Sequence, residues 1–411
     1  MQALQFSDNV PRYALTKALG RGSHRAYWSD IALLKLVDIP EQALPNDEWV
    51  RVRTRFGGIC GSDISLVQLH ASTSTTPYTS FPFIVGHENT GRIAQLGANV
   101  DGFTIGQRVV VDPLLPCRVR GFDEPCEMCM RGDYNLCRRF REGAIAAGML
   151  TGFCHDTGGS WSPSFVAHQS QLIAVPENVS DENAVLVEPF AVALHAVLRN
   201  RPRDDDTALI IGSGVVGLCT VAALRAIGSK TRIIITARHP FQQEMAKRMG
   251  ADIVIAPERG AAFYRQIAEL TGASVHKPII GKEIVNGGAE VVYECVGSST
   301  TVDDALRLTA PSGTMVLVGL AGAPSGVDWT PVWLSEVAIR GSFCYAEEQF
   351  EGQTLSTMQL AMKLLEEGRV DLSLLLTHTF ALREYREALA TVTSKGKSGV
   401  IKAAFAFDPN R

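Results

Sequence analysis

Neither sign of charge is in excess: 39 lysines and arginines stand against 43 aspartates and glutamates, a formal net charge of −4 over 411 residues. So balanced a surface gives nucleic acid or an anionic membrane no electrostatic footing, and neither is expected as a partner. Low-complexity tracts, internal repeats and long runs of like charge are also missing. What remains is an ordinary globular chain, long enough for two domains or for one inserted in another. Met1 to Tyr13 lacks a basic start followed by an apolar core, so no secretory signal is expected. The nearest thing to a membrane span, Thr207 to Gly228, is broken by Gly212, Gly214 and Gly217 and followed by Lys230 and Arg232. A buried strand, tight turn and helix explains it better. The chain is expected in the cytoplasm.

That expectation bears on the nine cysteines. Reducing surroundings make disulfides a poor use for them, and four fall between Cys117 and Cys137, a density that calls for a metal. Cys126 and Cys129 form a C-x-x-C pair, with seven residues between Cys129 and Cys137. Three thiolates at this spacing suit tetrahedral zinc, which needs a fourth ligand. Cys117 is favoured because thiolate is the softer donor; Asp123, at the shorter spacing, is its rival. Such a closed site staples a loop and leaves no position for substrate.

From Leu34 to about Pro176 the chain reads as short strands and turns, such as Trp49 to Arg53 and Arg108 to Val111. Ser180 starts a helical stretch, with Ala184 to Arg199 expected as helix. Apolar strands then alternate with helices: Leu209 to Ile211, a helix to Ile227, Arg232 to Thr236, a helix near Phe241 to Met249, and strands at Glu290 to Tyr293, Thr314 to Val318 and Ala338 to Arg340. This alternation predicts an α/β fold with a parallel sheet covered on both faces. Beyond Phe343 the reading is a helix, Gln353 to Glu367, then short strands ending at Val400-Ile401-Lys402, returning to the first domain. Without a Gly/Ser linker the two domains are expected to pack closely, with a ligand cleft between them.

Gly212-Ser213-Gly214-Val215-Val216-Gly217 has G-x-G-x-x-G spacing between an apolar strand and an apolar helix. A second strand ends about 20 residues on, at Thr236-Ala237. In that context the loop reads as a dinucleotide site, its helix N-terminus facing the pyrophosphate. A carboxylate ending the second strand would bond the ribose 2′-hydroxyl and repel a 2′-phosphate. Here the chain has Thr236-Ala237-Arg238-His239, which favours NADP(H) over NAD(H). The expected cofactor-binding set is Gly212, Gly214, Val216, Gly217, Ala237, Arg238, Val296 and Gly319.

A sparser set remains: Cys60 in Gly57-Gly58-Ile59-Cys60-Gly61-Ser62-Asp63, His87 and Glu88 after Gly86, and Glu188 before Pro189. Each alone has a structural reading: a buried cysteine, a surface histidine, a helix-start glutamate. Together with the cysteine loop and the glycine fingerprint, in this order, they resemble the zinc-dependent medium-chain dehydrogenase/reductase superfamily of alcohol dehydrogenase type. The Glu188-Pro189 pair is most similar to its sorbitol, threonine and glucose dehydrogenase branch. The resemblance runs from about Trp49 to Lys402. It implies a GroES-like β-rich catalytic domain (residues 1–190 and 345–411), a Rossmann domain (191–344), and homodimers or homotetramers.

By the same resemblance Cys60, His87 and Glu88 or Glu188 hold a catalytic zinc, directly or through water, and Asp63 orients His87. The activity implied is hydride exchange between nicotinamide and an alcohol or carbonyl carbon, with zinc as Lewis acid and Ser62 taking or giving the hydroxyl proton. The chain departs from the pattern at two places. Ser65 stands where many relatives carry a relay histidine, which leaves water or His70 for that step. Ser164 stands where relatives often have an acidic residue. Longer loops at His70 to Phe81 and Arg139 to Trp161, with an extended N-terminal part (Tyr13 to Asp38), imply a reshaped pocket and a substrate other than a simple short alcohol, a polyol or bulkier alcohol. Two alternatives stay open. A zinc-free quinone or enoyl reductase on the same fold would lack the cysteine loop and the Cys/His pair. A nucleotide-binding protein without turnover would have no use for Cys60, Ser62, His87 and Glu188 together.

Overall fold

The computed structural model describes residues 1–258 and 260–408, Lys395 by its backbone alone. Two compact units emerge: Met1–Glu188 with the stretch from Ala346 onward, and Pro189–Tyr345.

The first unit is built on Trp49–Ile59, an 11-residue strand whose even members Val50 and Val52 enter the core while Arg51 and Arg53 point away. It pairs antiparallel with Asn89–Leu96, Ser164–His168 and Lys402–Ala406. Beyond these lie Arg108–Val111, Leu172–Ala174 and Leu376–Phe380. Val50, Val52, Ile93, Val109, Val111 and Phe165 form the core against this sheet. A second, three-stranded sheet places Gln2–Phe6 between Leu34–Asp38 and Phe83–Ile84. The N-terminal stretch is thus an integral strand whose last residue, Phe6, pairs with Phe83, followed by the helix Val10–Gly20, capped by Asn9.

The second unit carries a six-stranded parallel sheet in the order Ile253–Ile255, Arg232–Thr236, Thr207–Ile211, Ala289–Glu294, Thr309–Leu317, Ala338–Gly341. Its central strands are buried on both faces along their apolar runs, Ala208 to Ile211 and Val291 to Tyr293. The order reverses at Thr207–Ile211, and ligands bind such sheets at the carboxyl ends of the strands flanking that reversal. A helix Ala261–Thr271 and a hairpin of Ser274–His276 with Ile284–Asn286 are added before Ala289.

Beyond residue 346, three segments differ from the sequence expectation. Gln353–Ser356 is a strand paired with Glu347–Phe350, and the helix starts only at Thr357. Ser356 Oγ accepts from Gln359 N and Gln359 Oε1 accepts from Ser356 N, both at 3.1 Å, a reciprocal cap that fixes the start. Tyr385–Thr393 is a helix rather than strand, burying Tyr385, Ala388, Leu389 and Val392 at three- and four-residue spacing. The closing strand begins at Lys402 instead of ending there.

Candidate active site

Cys60 follows the last residue of the central strand and sits at the N-cap of the helix Gly61–Val67. His87 and Glu88 lie just before Asn89–Leu96, its antiparallel neighbour. Two hydrogen bonds fix that segment: Ser160 Oγ donates to Glu88 O at 2.7 Å, and Trp161 Nε1 to Gly58 O at 2.9 Å. A Cβ on Gly58 would lie 2.2 Å from Glu88 Oε2, so the carboxylate fills the place of that missing side chain. The ligand atoms of Cys60, His87 and Glu88 come within 4.8 Å of one another.

Asp63 is the hub of this arrangement. Fully buried, it accepts a hydrogen bond from Cys60 N at 2.9 Å and stands 3.3 Å from His87 Nδ1, leaving Nε2 as the free ring donor. Burial alone would depress the imidazole pKa; Asp63, with help from Cys60, outweighs it and holds His87 well above its ordinary value. Glu188, in the first turn of Val187–Arg199, is buried beside them but outside the closest three. Its carboxyl is pushed up to about 7, foremost by burial, with His87 pulling it down and Glu88 pushing it up. The helix expected from Ala184 breaks after that residue and restarts at Val187, which puts Glu188 at a helix N-terminus.

Sequence reading missed Lys402. It is 1% exposed, and its ammonium contacts Glu88 Oε2. The other carboxylate oxygen, Glu88 Oε1, is buried with no hydrogen-bond partner among the described residues. A thiol, an imidazole and a buried carboxylate with one oxygen left unpartnered, at this separation, are the donor set of a borderline-soft divalent cation, and the residues fit zinc.

Ser62 is half-buried in the first turn after Cys60, and Ser65 lies one turn on. His70 is exposed, its ring edge-on to Tyr27 with centroids 6.1 Å apart. Ser164 turns toward Glu41, donating to its carboxylate at 3.4 Å. The long loop before Trp161 brings Phe153 against the His87 ring, centroids 6.0 Å apart, with Phe83 behind it at 5.4 Å.

The sulfurs of Cys117, Cys126, Cys129 and Cys137 also lie within 4.8 Å of one another, while Asp123 is exposed on the same loop and outside that set. Backbone N–H groups of Cys126, Arg138 and Arg139 donate to the Cys117, Cys126 and Cys137 sulfurs at 3.3 to 3.4 Å, as metal-bound thiolates require. A hydrogen bond from Cys129 pushes Cys137 down to about 5, and the same contact pushes Cys129 up. So many sulfurs in one place hold negative charge together only around a cation. All nine cysteines are free of disulfides.

Arg120, inside this loop and fully buried, donates to the carbonyls of Leu115, Glu142, Ile145, Ala146 and Gly148 at 2.6 to 3.2 Å. It ties the cysteine loop to the segment that carries Phe153. Arg120→Met would leave these buried acceptors unpaired and is expected to cost about 3 kcal/mol or more, read as a lower urea midpoint. An unchanged midpoint would show that the loop holds without it.

In the second unit each fingerprint glycine has a separate task. Gly212 has φ +106, a left-handed turn. A Cβ on Gly217 would lie 1.9 Å from Gly212 O, so the helix packs against the turn only without one, whereas nothing lies within 4 Å of a Cβ on Gly214. The helix Val215–Ala226 therefore presents its unpaired N–H groups over an open glycine. Val216 stands in its first turn. The neighbouring strand ends alongside: Cys295 N donates to Ile211 O at 3.0 Å, and Val296, half-exposed, covers Gly212. Gly319 packs on Gly297. Thr236 Oγ1 accepts from Gly212 N at 2.9 Å, joining the second strand to the loop; Ala237 is buried and Arg238 exposed.

Residues 46–177 match the alcohol dehydrogenase GroES-like domain, and residues 215–359 match the zinc-binding dehydrogenase family. Sorbitol dehydrogenase of Bacillus subtilis is 31% identical over 362 residues, 87% of this chain and 89% of its own. The solved structure of a short chain alcohol dehydrogenase from E. coli CFT073, complexed with NADH, has a TM-score of 0.73 at 23% identity over 99% of both chains. A putative zinc-binding dehydrogenase from Sinorhizobium meliloti, bound to NADP, has a TM-score of 0.69 at 24% identity, covering 91% of this chain and 95% of its own. With a GroES-like β domain, a parallel Rossmann-like sheet and both cysteine-containing motifs in order, the chain belongs to the zinc-dependent medium-chain dehydrogenase/reductase superfamily of alcohol dehydrogenase type, oxidoreductases acting on CH–OH donors.

Proposed function

We propose that this protein exchanges a hydride between NADP(H) and a secondary or primary alcohol, a polyol or bulkier alcohol rather than a short one, or the corresponding carbonyl compound. The observation that carries this reading is the meeting of Cys60, His87 and Glu88 in a buried set braced by Asp63. Cys60 and His87, with Glu88 or Glu188, are the residues that would hold a catalytic zinc. That ion would supply a Lewis acid to the substrate oxygen. Ser62 is assigned to hold the hydroxyl proton, with water or His70 passing it to solvent. Phe153 gives one wall of the site an apolar face suited to a carbon skeleton. Cys117, Cys126, Cys129 and Cys137 are assigned to a second, structural zinc.

The sorbitol dehydrogenase of B. subtilis supports a polyol-like substrate. A screen of alcohols and polyols with NADP, and of aldehydes and ketones with NADPH, identifies it by absorbance of the reduced cofactor. The preference for NADP(H) rests on Arg238, exposed beside a buried alanine where a carboxylate would repel a 2′-phosphate. Arg238→Ala should lower kcat/KM for NADPH about tenfold to a hundredfold through the lost charge-assisted bond, with NADH little affected. An unchanged preference would remove Arg238 from the assignment. A homo-oligomer is also proposed: the edge strand Ala338–Gly341 is exposed along its length, with Trp333 and Leu334 exposed on the preceding helix, and such an edge invites a second copy.

A further inference from the structure

Phe6 and Leu34 face each other across two antiparallel strands, a junction that a two-residue turn could close. Residues 7–33 stand there instead. Their second half has a packing role, since Tyr27, Trp28 and Leu33 enter the core. The helix Val10–Gly20 has little of one. It rests on a narrow edge: Thr16 Oγ1 donates to Ile31 O at 3.1 Å, and Gly20 packs so close to the Tyr27 ring that a Cβ would lie 2.2 Å from it. Thr16 and Gly20 are its buried residues, with Tyr13 half-buried beside them.

At about 100° per residue, Val10, Pro11, Ala14, Leu15, Ala18 and Leu19 fall on the opposite half of the helix. All six are exposed, Val10 to 73%, Leu15 to 48% and Leu19 to 51%. The usual order is inverted, with the apolar face turned outward. Arg12 and Lys17 fall on the two flanks of that face, and Arg21 and Arg25 follow the helix, all four exposed. No carboxylate stands between Asn9 and Ser29, and Asp30, just beyond, pairs with Arg386 at 2.6 Å. Lys35 adds to the positive field: burial, then the nearby Arg12, lowers its pKa.

We propose that Val10–Gly20 is an interfacial helix that lays its apolar face on an anionic lipid surface. The even charge of the whole chain conceals this segment, which is positive along its length. A second copy is a poor occupant, because a two-fold contact through this face would bring Arg12 and Lys17 of both chains together. Nucleic acid would leave the apolar residues in water. A protein partner would find no aromatic anchor among them. A bilayer surface suits both parts and demands no matching shape: leucine and valine enter the headgroup boundary, while arginine and lysine reach its phosphates from the flanks.

The test is sedimentation of the whole protein with vesicles, of equimolar phosphatidylserine and phosphatidylcholine or of phosphatidylcholine alone, in wild type, R12Q/K17Q and L15S/L19S. All four positions are exposed, so both variants should keep the wild-type circular dichroism spectrum. Wild type should bind the mixed vesicles at least about tenfold more tightly than phosphatidylcholine alone, and should lose most of that binding in about 1 M salt. R12Q/K17Q should weaken it about twentyfold, at about fivefold per cation. L15S/L19S should weaken it about tenfold or more through lost apolar burial. Wild type that stays in solution with both kinds of vesicle overturns the proposal. So does binding that L15S/L19S leaves intact, which would be charge attraction without a buried face. If L15S/L19S lowers the mass of the protein in lipid-free sedimentation, the face belongs to a second copy. If wild type binds poly-glutamate as tightly as the mixed vesicles, an acidic protein is the occupant. Either result overturns the lipid assignment.

Discussion

Cys60→Ser is expected to abolish turnover while leaving the fold intact. Cys60 is the half-exposed member of the Cys60, His87 and Glu88 set and its single thiolate. Serine offers a far weaker donor to a borderline-soft cation, so zinc should fall from about two per chain to about one, the cysteine cluster keeping its own. Loss of Lewis-acid stabilisation amounts to several kcal/mol, and about 4 kcal/mol corresponds to roughly a thousandfold in kcat. Folding is not threatened by this change. Cys60 occupies the N-cap of Gly61–Val67, its backbone N–H held by Asp63, and serine is a favoured residue at that position. Rate and zinc content should drop together at an unchanged circular dichroism spectrum. Activity surviving at half the zinc would move the chemistry to other residues.

Cys126→Ser should produce the complementary result, a large loss of stability. Cys126 starts the short helix Glu127–Met130, and its sulfur lies 3.9 Å from Cys137. With one thiolate gone the cluster holds zinc weakly, and binding energy that is also folding energy is lost. Arg120 and the contacts of Val119 and Ile145 with the core still hold part of the loop, yet about 4 kcal/mol or more of local stability is at stake. The expected signs are a zinc content lower by about one per chain, cleavage by protease between Cys117 and Gly148, and a lower Tm. The catalytic set is on other strands, yet Phe153 hangs from the same loop, so KM should rise more than kcat falls. A variant with undiminished zinc and no new cleavage site would remove the structural role from this cluster.

The motifs legible in the sequence are those whose partners lie within a few residues of each other. Gly212, Gly214 and Gly217 define a turn and a helix start by their own spacing, and the sheet around them follows from alternating apolar runs. Cys126 and Cys129 share one loop in the same way. Legibility falls off where an element is set by its neighbours rather than by its own period. Gln353–Ser356 has residues that suit a helix, yet Glu347–Phe350 takes it as a strand. The helix Tyr385–Thr393 shows its period only once its buried face is known.

The sequence by itself determined the α/β class, the family and the candidate ligands, because those follow from residue type and short-range order. Only the tertiary structure decided which of these side chains meet. It brought Cys60, His87 and Glu88 together through antiparallel strands, set Asp63 beneath two of them, and left Asp123 outside the cysteine cluster. It also delivered Lys402 to Glu88 across 314 residues of chain. No local pattern marks that contact, since it exists only through the strand register that pairs Ala403 with Ile59 and the burial that makes one charge require another.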